Sequence, residues 1–404
     1  MSQTSQIQAK GDAETAVTPP YAWVILIVVF LASVAAPLNQ SKVPPLMPVL
    51  MDTFQITLSQ AGLLMSVFSI TGLILALPTG IALQKTGPKL TGLIALGSLL
   101  VGSGLGALSG SMGLLLISRV IEGIGMGLIA VVAPAVLAAW FPPEKQGTPM
   151  GIWATWVPLG SVIMMLLAPR LELVAGWQSV WWVGAGFSLV VFVLYGFLLR
   201  MPPIPVESEI AAAPPPKLNK ALANKDIWLL ALAFTCFNLV FFPIATYYPT
   251  FLAEVRGYTL TEASTIASIS TFLVLISAPL AGWLSDRIGS RKRVLTIPFL
   301  IVAVMMLLPF KVVGWQIYVF MSLLGLVAGA VPTATFAAAP EVMKNPQLAG
   351  LGLAVIMVGQ NLGMFIAPVL FGGLVESIGW AAAGYWLIPI ALVGFAAGWL
   401  VKVR

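Results

Sequence analysis

Twelve apolar runs, each close to the length of a bilayer-crossing helix, recur along the whole chain: 22–47, 59–82, 90–109, 112–140, 147–168, 178–200, 227–252, 262–284, 293–311, 314–339, 348–372 and 379–401. A hydrocarbon layer of ~30 Å takes about 20 helical residues, and inside it every backbone N–H and C=O must find its partner within the protein. Barrel strands would read as short alternating segments. These runs are long and continuous, so the expected fold class is an all-α membrane protein with twelve transmembrane helices. Only 8% of the 404 residues are charged and 59% are hydrophobic, with mean hydropathy +1.00, shares that exclude an ordinary soluble domain.

The few charges sort by side. With the chain starting inside, Lys10, Lys85, Lys89, Lys145, Arg200, Lys217, Lys220, Lys225, Arg287, Arg291, Lys292, Arg293, Lys344, Lys402 and Arg404 fall on the cytoplasmic face, against Arg170, Arg256 and Lys311 outside. That asymmetry predicts both termini in the cytoplasm; the expected location is the plasma (inner) membrane, as a multi-pass protein. The net charge of +6 is then a consequence of topology, and no nucleic-acid partner is expected.

Residues 1–20 read as a polar cytoplasmic tail without the charged, apolar and small-residue order of a cleaved signal. Residues 21–200 hold six runs, 201–226 a Pro- and Ala-rich linker, and 227–404 the other six. The two halves echo one another. "GIALQKTGPK" from Gly80 returns as "GWLSDRIGSRK" from Gly282, half the chain later; Gly123 and Gly127 return as Gly325 and Gly329, and the "GW" at Gly176 returns at Gly379. Each basic motif has the form G-x-x-x-[D/Q]-[R/K]-x-G-x-[R/K] and lies in the turn between the second and third helix of its half.

On these tandem motifs the chain resembles a major facilitator superfamily transporter over essentially its full length. The stretch "VPPLMPVLMDTFQITLSQAGLLMS" is similar to the anion and cyanate porter-like branches. The resemblance implies two pseudo-symmetric six-helix bundles rocking about a central site. It implies gating roles for Gly80 and Gly282, where helices approach closely, with Gly87 and Gly289 making the turns. Asp286 would pair with Arg287 or Arg291 as a latch; Gln84 stands where the first motif usually has an acid, which weakens its latch. Arg119, Gly123 and Gly125 match the family's R-x-x-x-G-x-G on helix 4, with Glu122 where glutamine is more usual. That match implies a part for Arg119 in coupling protons or substrate.

Ionisable residues inside apolar spans are rare and by default functional, each costing roughly 2.5–3.5 kcal/mol on insertion scales. Three stand out: Lys42 in "PLNQSKVPPLMP", and Arg119 with Glu122 in "LLLISRVIEGIGMG". The last two are three apart, share a helix face and can pair, either as part of the transport chemistry or as a pair that only locks helix 4 in place. A carboxyl that alternates between an apolar surrounding and the neighbourhood of an arginine loads and releases a proton, which makes Glu122 the proton-coupling candidate. Lys42 lies one turn from Asn39 and is followed by Pro44 and Pro45, which disturb the helix and free carbonyls. Facing a cavity it would draw an anion; otherwise its amine reaches the outer headgroups. The second half offers Gln360 and Asn361 in "GQNLGMFIAP", with Asn238 and Tyr247, as substrate contacts. A tyrosine near a span end serves equally as an interfacial belt residue.

Other classes fall away. The chain has no histidine, which removes His general bases and His-rich metal sites, and no Walker A stretch couples it directly to ATP. No pair of aspartates lies within the spans, so an aspartyl intramembrane protease is excluded. The single cysteine, Cys236, cannot form an intramolecular disulfide. Neither an enzyme nor a cofactor is expected. The reading is a monomeric secondary transporter working by alternating access, with a small organic or inorganic anion as substrate, the proton as coupling ion and the lipid bilayer around it. Two alternatives stand. One is a proton-driven exporter of hydrophobic compounds, against which "WVPLGS" occupies the place of the antiporters' G-P-x-x-G-G. The other is a membrane sensor without flux.

Overall fold

The computed structural model describes residues 19–142, 145–202, 224–343 and 346–403. The expected tail and nearly all of the expected linker lie outside these ranges, as do the side chain of Gln84 and the surroundings of Gly80. All regular structure among the described residues is helical. In the first half run α1 (Tyr21–Gln40), α2 (Val43–Phe54), α3 (Leu58–Ala107), α4 (Met112–Trp140), α5 (Gly147–Ala154), α6 (Trp156–Ala175) and α7 (Trp177–Leu198). The second half holds α8 (Lys225–Glu254), α9 (Leu260–Ile288), α10 (Arg291–Met305), α11 (Trp315–Ala328), α12 (Ala330–Met343), α13 (Pro346–Tyr385) and α14 (Leu387–Leu400).

These elements make twelve passes. Ten stretches are long and apolar enough to cross a bilayer; α10 and the segment from Gly379 through α14 complete the set. Helices α3 and α13 each continue from one pass into the next and turn at a single glycine, Gly87 (φ 73°) and Gly379 (φ 79°). A side chain would strain that left-handed backbone. Conversely, α1 with α2, α5 with α6, and α11 with α12 are single passes interrupted midway.

The pseudo-repeat extends into backbone detail. Both second passes open on a capping box, Thr57 with Gln60 and Thr259 with Glu262, which satisfies two orphan helix donors at each start. Gly176 and Gly379 share almost the same dihedrals, φ 75° and 79°. A Cβ on Gly123 would lie 2.4 Å from the Phe68 carbonyl oxygen, and one on Gly325 would lie 2.4 Å from that of Ser270. The fourth pass of each half therefore touches the second pass of its own half backbone to backbone at equivalent positions, the small-residue contact by which helices associate where lipid removes the hydrophobic drive.

Two ends of the molecule can be distinguished. At the end nearest the termini, Tyr21 Oη donates to the Leu198 carbonyl at 2.6 Å, Trp140 Nε1 to that of Arg200 at 2.9 Å, and Asn224 Nδ2 to that of Val342 at 3.0 Å. Each of these bonds stays within one half. At the far end the halves are tied together: the Ser59 N–H donates to Glu376 Oε1 at 2.6 Å and the Tyr247 hydroxyl lies 3.4 Å from the Leu58 carbonyl oxygen.

Candidate functional site

The site begins with a broken helix. The first pass is interrupted at Ser41 and Lys42, between α1 and α2. Pro44 has no N–H, so the Gln40 carbonyl four residues back loses its helical donor. An uncapped carbonyl is costly in the middle of a membrane protein. Arg119 of α4 supplies the missing donors. Its Nη2 donates to the Gln40 carbonyl at 3.0 Å, its Nη1 to that of Asn39 at 2.8 Å, and its Nε to that of Leu64 on α3 at 3.1 Å. Phe68 covers the guanidinium, with its ring centroid 4.5 Å from Cζ.

Glu122, one turn along α4, joins two cations. One carboxylate oxygen pairs with Arg119 Nη1, and the other lies 2.8 Å from Lys42 Nζ. All three side chains are fully buried. The Lys42 ammonium also donates to Ser103 Oγ at 2.5 Å and lies 5.3 Å from the Trp181 ring centroid. Ser103 Oγ in turn lies 3.1 Å from Asn39 Oδ1 and 2.7 Å from the Trp181 carbonyl oxygen, its single O–H serving one of them at a time, and Asn39 Nδ2 donates to Ser188 Oγ at 3.2 Å. Room for this crowd comes from Gly184 on α7, where a Cβ would lie 2.5 Å from both Asn39 Oδ1 and Lys42 Cε.

The three ionisable residues therefore form one network that draws on five of the six passes of the first half. Lys42 neither snorkels nor opens onto a path between the halves. It points into the first bundle, because its partners Ser103 and Trp181 lie on α3 and α7. Asn39, taken from sequence as a substrate contact, belongs to the same network. Sequence reasoning missed Ser103, Trp181, Gly184 and Ser188. The last three share one face of α7, a spacing that in hindsight marks a polar stripe in an otherwise apolar helix.

The remaining candidates are dispersed. Asn238 is buried and donates to the Phe234 carbonyl on its own helix at 2.7 Å. Asn361 donates to the Met357 carbonyl at 2.9 Å, while its Oδ1 closes against Gly72 of α3, where a Cβ would lie 2.8 Å away. Gln360 is half-buried beside it. Tyr247 is fully buried and donates to the Pro368 carbonyl at 2.5 Å; in this conformation it ties helices together and does not line an open cavity.

The pairing expected of Asp286 is not made among the described residues. Arg291 instead lies 3.5 Å from Glu341 on α12 and donates to the Ala337 carbonyl, and Arg287 lies over the Trp283 ring at 5.1 Å. Gly282 does not mark a close approach: a Cβ there would meet Thr333 at an ordinary 3.6 Å. Gly289 does make its turn in the left-handed region, at φ 65°.

Chemically, the buried network has two cations for one carboxylate. It also has spare donors. An ammonium carries three N–H groups, of which Lys42 uses one on Ser103 and one on Glu122, and the buried Trp181 Nε1 has no acceptor among the described residues. The network is one negative charge short of balance and leaves donors on both Lys42 and Trp181 unused.

Comparison with known proteins gives the setting. The profile of the Major Facilitator Superfamily matches residues 29–265 and 257–404. A hexuronate transporter of Bacillus subtilis (strain 168) is 25% identical over 399 residues, covering 92% of either chain. A protein named as a probable galactarate/D-glucarate transporter of Escherichia coli (strain K12) is 25% identical over 280 residues, 60% of this chain and 61% of its own. The inward-facing, unoccupied crystal structure of a bacterial homolog of the human lysosomal transporter Spinster superposes with a TM-score of 0.81 at 16% identity, covering 95% of this chain and 98% of the other. That likeness concerns the fold.

Proposed function

Because the chain belongs to the Major Facilitator Superfamily, we propose that it is a secondary transporter that works by alternating access and carries a small organic anion together with a proton. The observation that carries this reading is the imbalance of the Lys42, Arg119 and Glu122 network. A buried excess positive charge in low dielectric attracts a counter-charge strongly, and the ligand that such a site draws is an anion. The hexuronate and glucarate transporters among the relatives lend support, since both names denote carboxylates. The positive-inside asymmetry of the sequence supports cytoplasmic termini, which makes the far end the outer end.

Charge conservation links the two ions. Adding a proton to Glu122 alone raises the net charge of the network from one to two, and adding a monoanion alone lowers it to zero. Adding both leaves it unchanged, so one proton with one monoanion is the combination that moves no net charge into or out of the buried site. Protonation also releases Lys42 from its carboxylate, and the interruption at Ser41 and Lys42 is the joint through which the freed ammonium can turn to the substrate.

Proteoliposomes supplied with labelled hexuronate in the outside medium test the reading. An inward proton gradient should drive accumulation in the wild type. Glu122→Gln, which fixes the protonated form, should abolish accumulation while leaving exchange at equal concentrations intact. Accumulation that ignores the gradient in the wild type, or that survives in Glu122→Gln, would refute proton coupling at this site.

A further inference from the structure

We propose that Gly62, Gly372 and Tyr247 are the positioning residues of the far-end seal between the two halves, and that closing the path on that side requires the absence of a side chain at Gly372. The inference rests on the alternating-access reading. Under that reading, contacts between the halves at one end must break and reform in every cycle, so whatever joins them there sets the balance of the two conformations.

Three contacts make the joint. The start of α3 has orphan N–H groups, and Glu376, near the end of the eleventh pass in α13, accepts one of them from Ser59 at 2.6 Å. This is a carboxylate at the positive end of a helix belonging to the other half. Ser59 Oγ also donates to the Val369 carbonyl at 3.3 Å. Between them sits the fully buried Tyr247 ring, whose hydroxyl donates to the Pro368 carbonyl at 2.5 Å and lies 3.4 Å from that of Leu58.

The close approach beneath these bonds depends on two glycines, one from each half. A Cβ on Gly372 would lie 2.8 Å from Ser59 Cα, 3.0 Å from Ser59 N and 2.8 Å from Tyr247 Oη. Ser59 Cα and N are backbone atoms of a helix and cannot turn aside. From the opposite half, a Cβ on Gly62 would lie 2.2 Å from Tyr247 Oη and 2.9 Å from the Pro368 carbonyl oxygen. Gly373, next along the same helix, would bring a Cβ only to 3.8 Å from Ser59 Oγ. A methyl group at Gly372 is therefore a wedge between the halves, whereas one at Gly373 is not. When the far end is open the wedge has no opposing surface, so its cost falls on one conformation alone.

The test uses the full chain with Cys236→Ser and spin labels on Thr53→Cys and Ser377→Cys, exposed positions at the far end of either half. Double electron–electron resonance should find a short and a long distance in the wild-type background. Gly372→Ala should raise the ratio of long to short by about tenfold or more, as an overpacking clash implies, with Gly373→Ala unchanged. Gly62→Ala should shift it the same way, and less so when combined with Tyr247→Phe, which removes the hydroxyl it meets. Two populations in the wild type with no shift in Gly372→Ala would overturn the seal. A single distance in a wild type that still transports would overturn the alternating-access reading instead. Should Gly372→Ala fail to fold, Gly62→Ala with and without Tyr247→Phe decides: full additivity of the two substitutions refutes the contact.

Discussion

Arg119 illustrates how far one side chain can be committed. Its guanidinium serves the carbonyls of Leu64, Asn39 and Gln40 and the carboxylate of Glu122, a planar fan of acceptors that an ammonium could not span. A residue so occupied holds α1, α3 and α4 together whatever else it does. Lys42 differs, because Arg119 and Glu122 would remain a balanced pair without it. Lys42→Gln should therefore leave the fold nearly as stable as before, measured by thermal unfolding of the purified protein. Anion affinity should nevertheless fall about tenfold to a hundredfold, the worth of a desolvated charge-assisted contact of roughly 1.5–3 kcal/mol. Equilibrium binding of hexuronate reads the second quantity. Unaltered affinity would mean that Lys42 serves Glu122 alone and that the excess charge has another purpose.

At the level of helices, the repeat offers matched experiments within one molecule. Thr57 and Thr259 cap the second pass of each half in the same way. Replacing either by Ala should cost about 1 kcal/mol of stability, read as similar losses in thermal unfolding. Only Thr57→Ala disturbs the helix start that receives Glu376, so it alone should also move the far-end distance distribution; an identical response from the two variants would count against the seal. The sequence makes the repeat legible because hydropathy, turn glycines and caps are local. The turns at Gly87 and Gly289 are foretold by residue type, as is the pairing of Arg119 with Glu122 from their spacing, whereas at Gly379 only the repeated "GW" is visible. The direction of Lys42 is not foretold. It is decided by Ser103, Trp181 and Gly184, far along the chain, whose arrangement is a matter of helix packing. Nor is the partner of Arg291: Asp286 is near in sequence, but Glu341 on α12 is near in space.

On the scale of the whole molecule, the two ends stand in opposite conditions. The far end is closed by bonds between the halves, while at the terminal end Asp286 is exposed and the ion pair of Arg291 stays within the second half. Under the alternating-access reading proposed above, this is a form closed at its far end. A latch at Asp286 would then act only in the opposite conformation. Asp286→Asn should not change the thermal stability of the form described here, but it should weaken the form open at the far end. A surface ion pair is worth at most about 1 kcal/mol, so the ratio of long to short far-end distances should fall by about two- to fivefold. Gly372→Ala pushes the same ratio upward from the other end of the molecule, through residues that share no contact with Asp286. Distant and independent effects add, so the double variant should lie between the two singles, offset from Gly372→Ala by the Asp286→Asn decrement. If Asp286→Asn leaves the distribution unmoved in both backgrounds, the motif at Gly282 serves topology alone, and the closure of the terminal end has to be sought elsewhere.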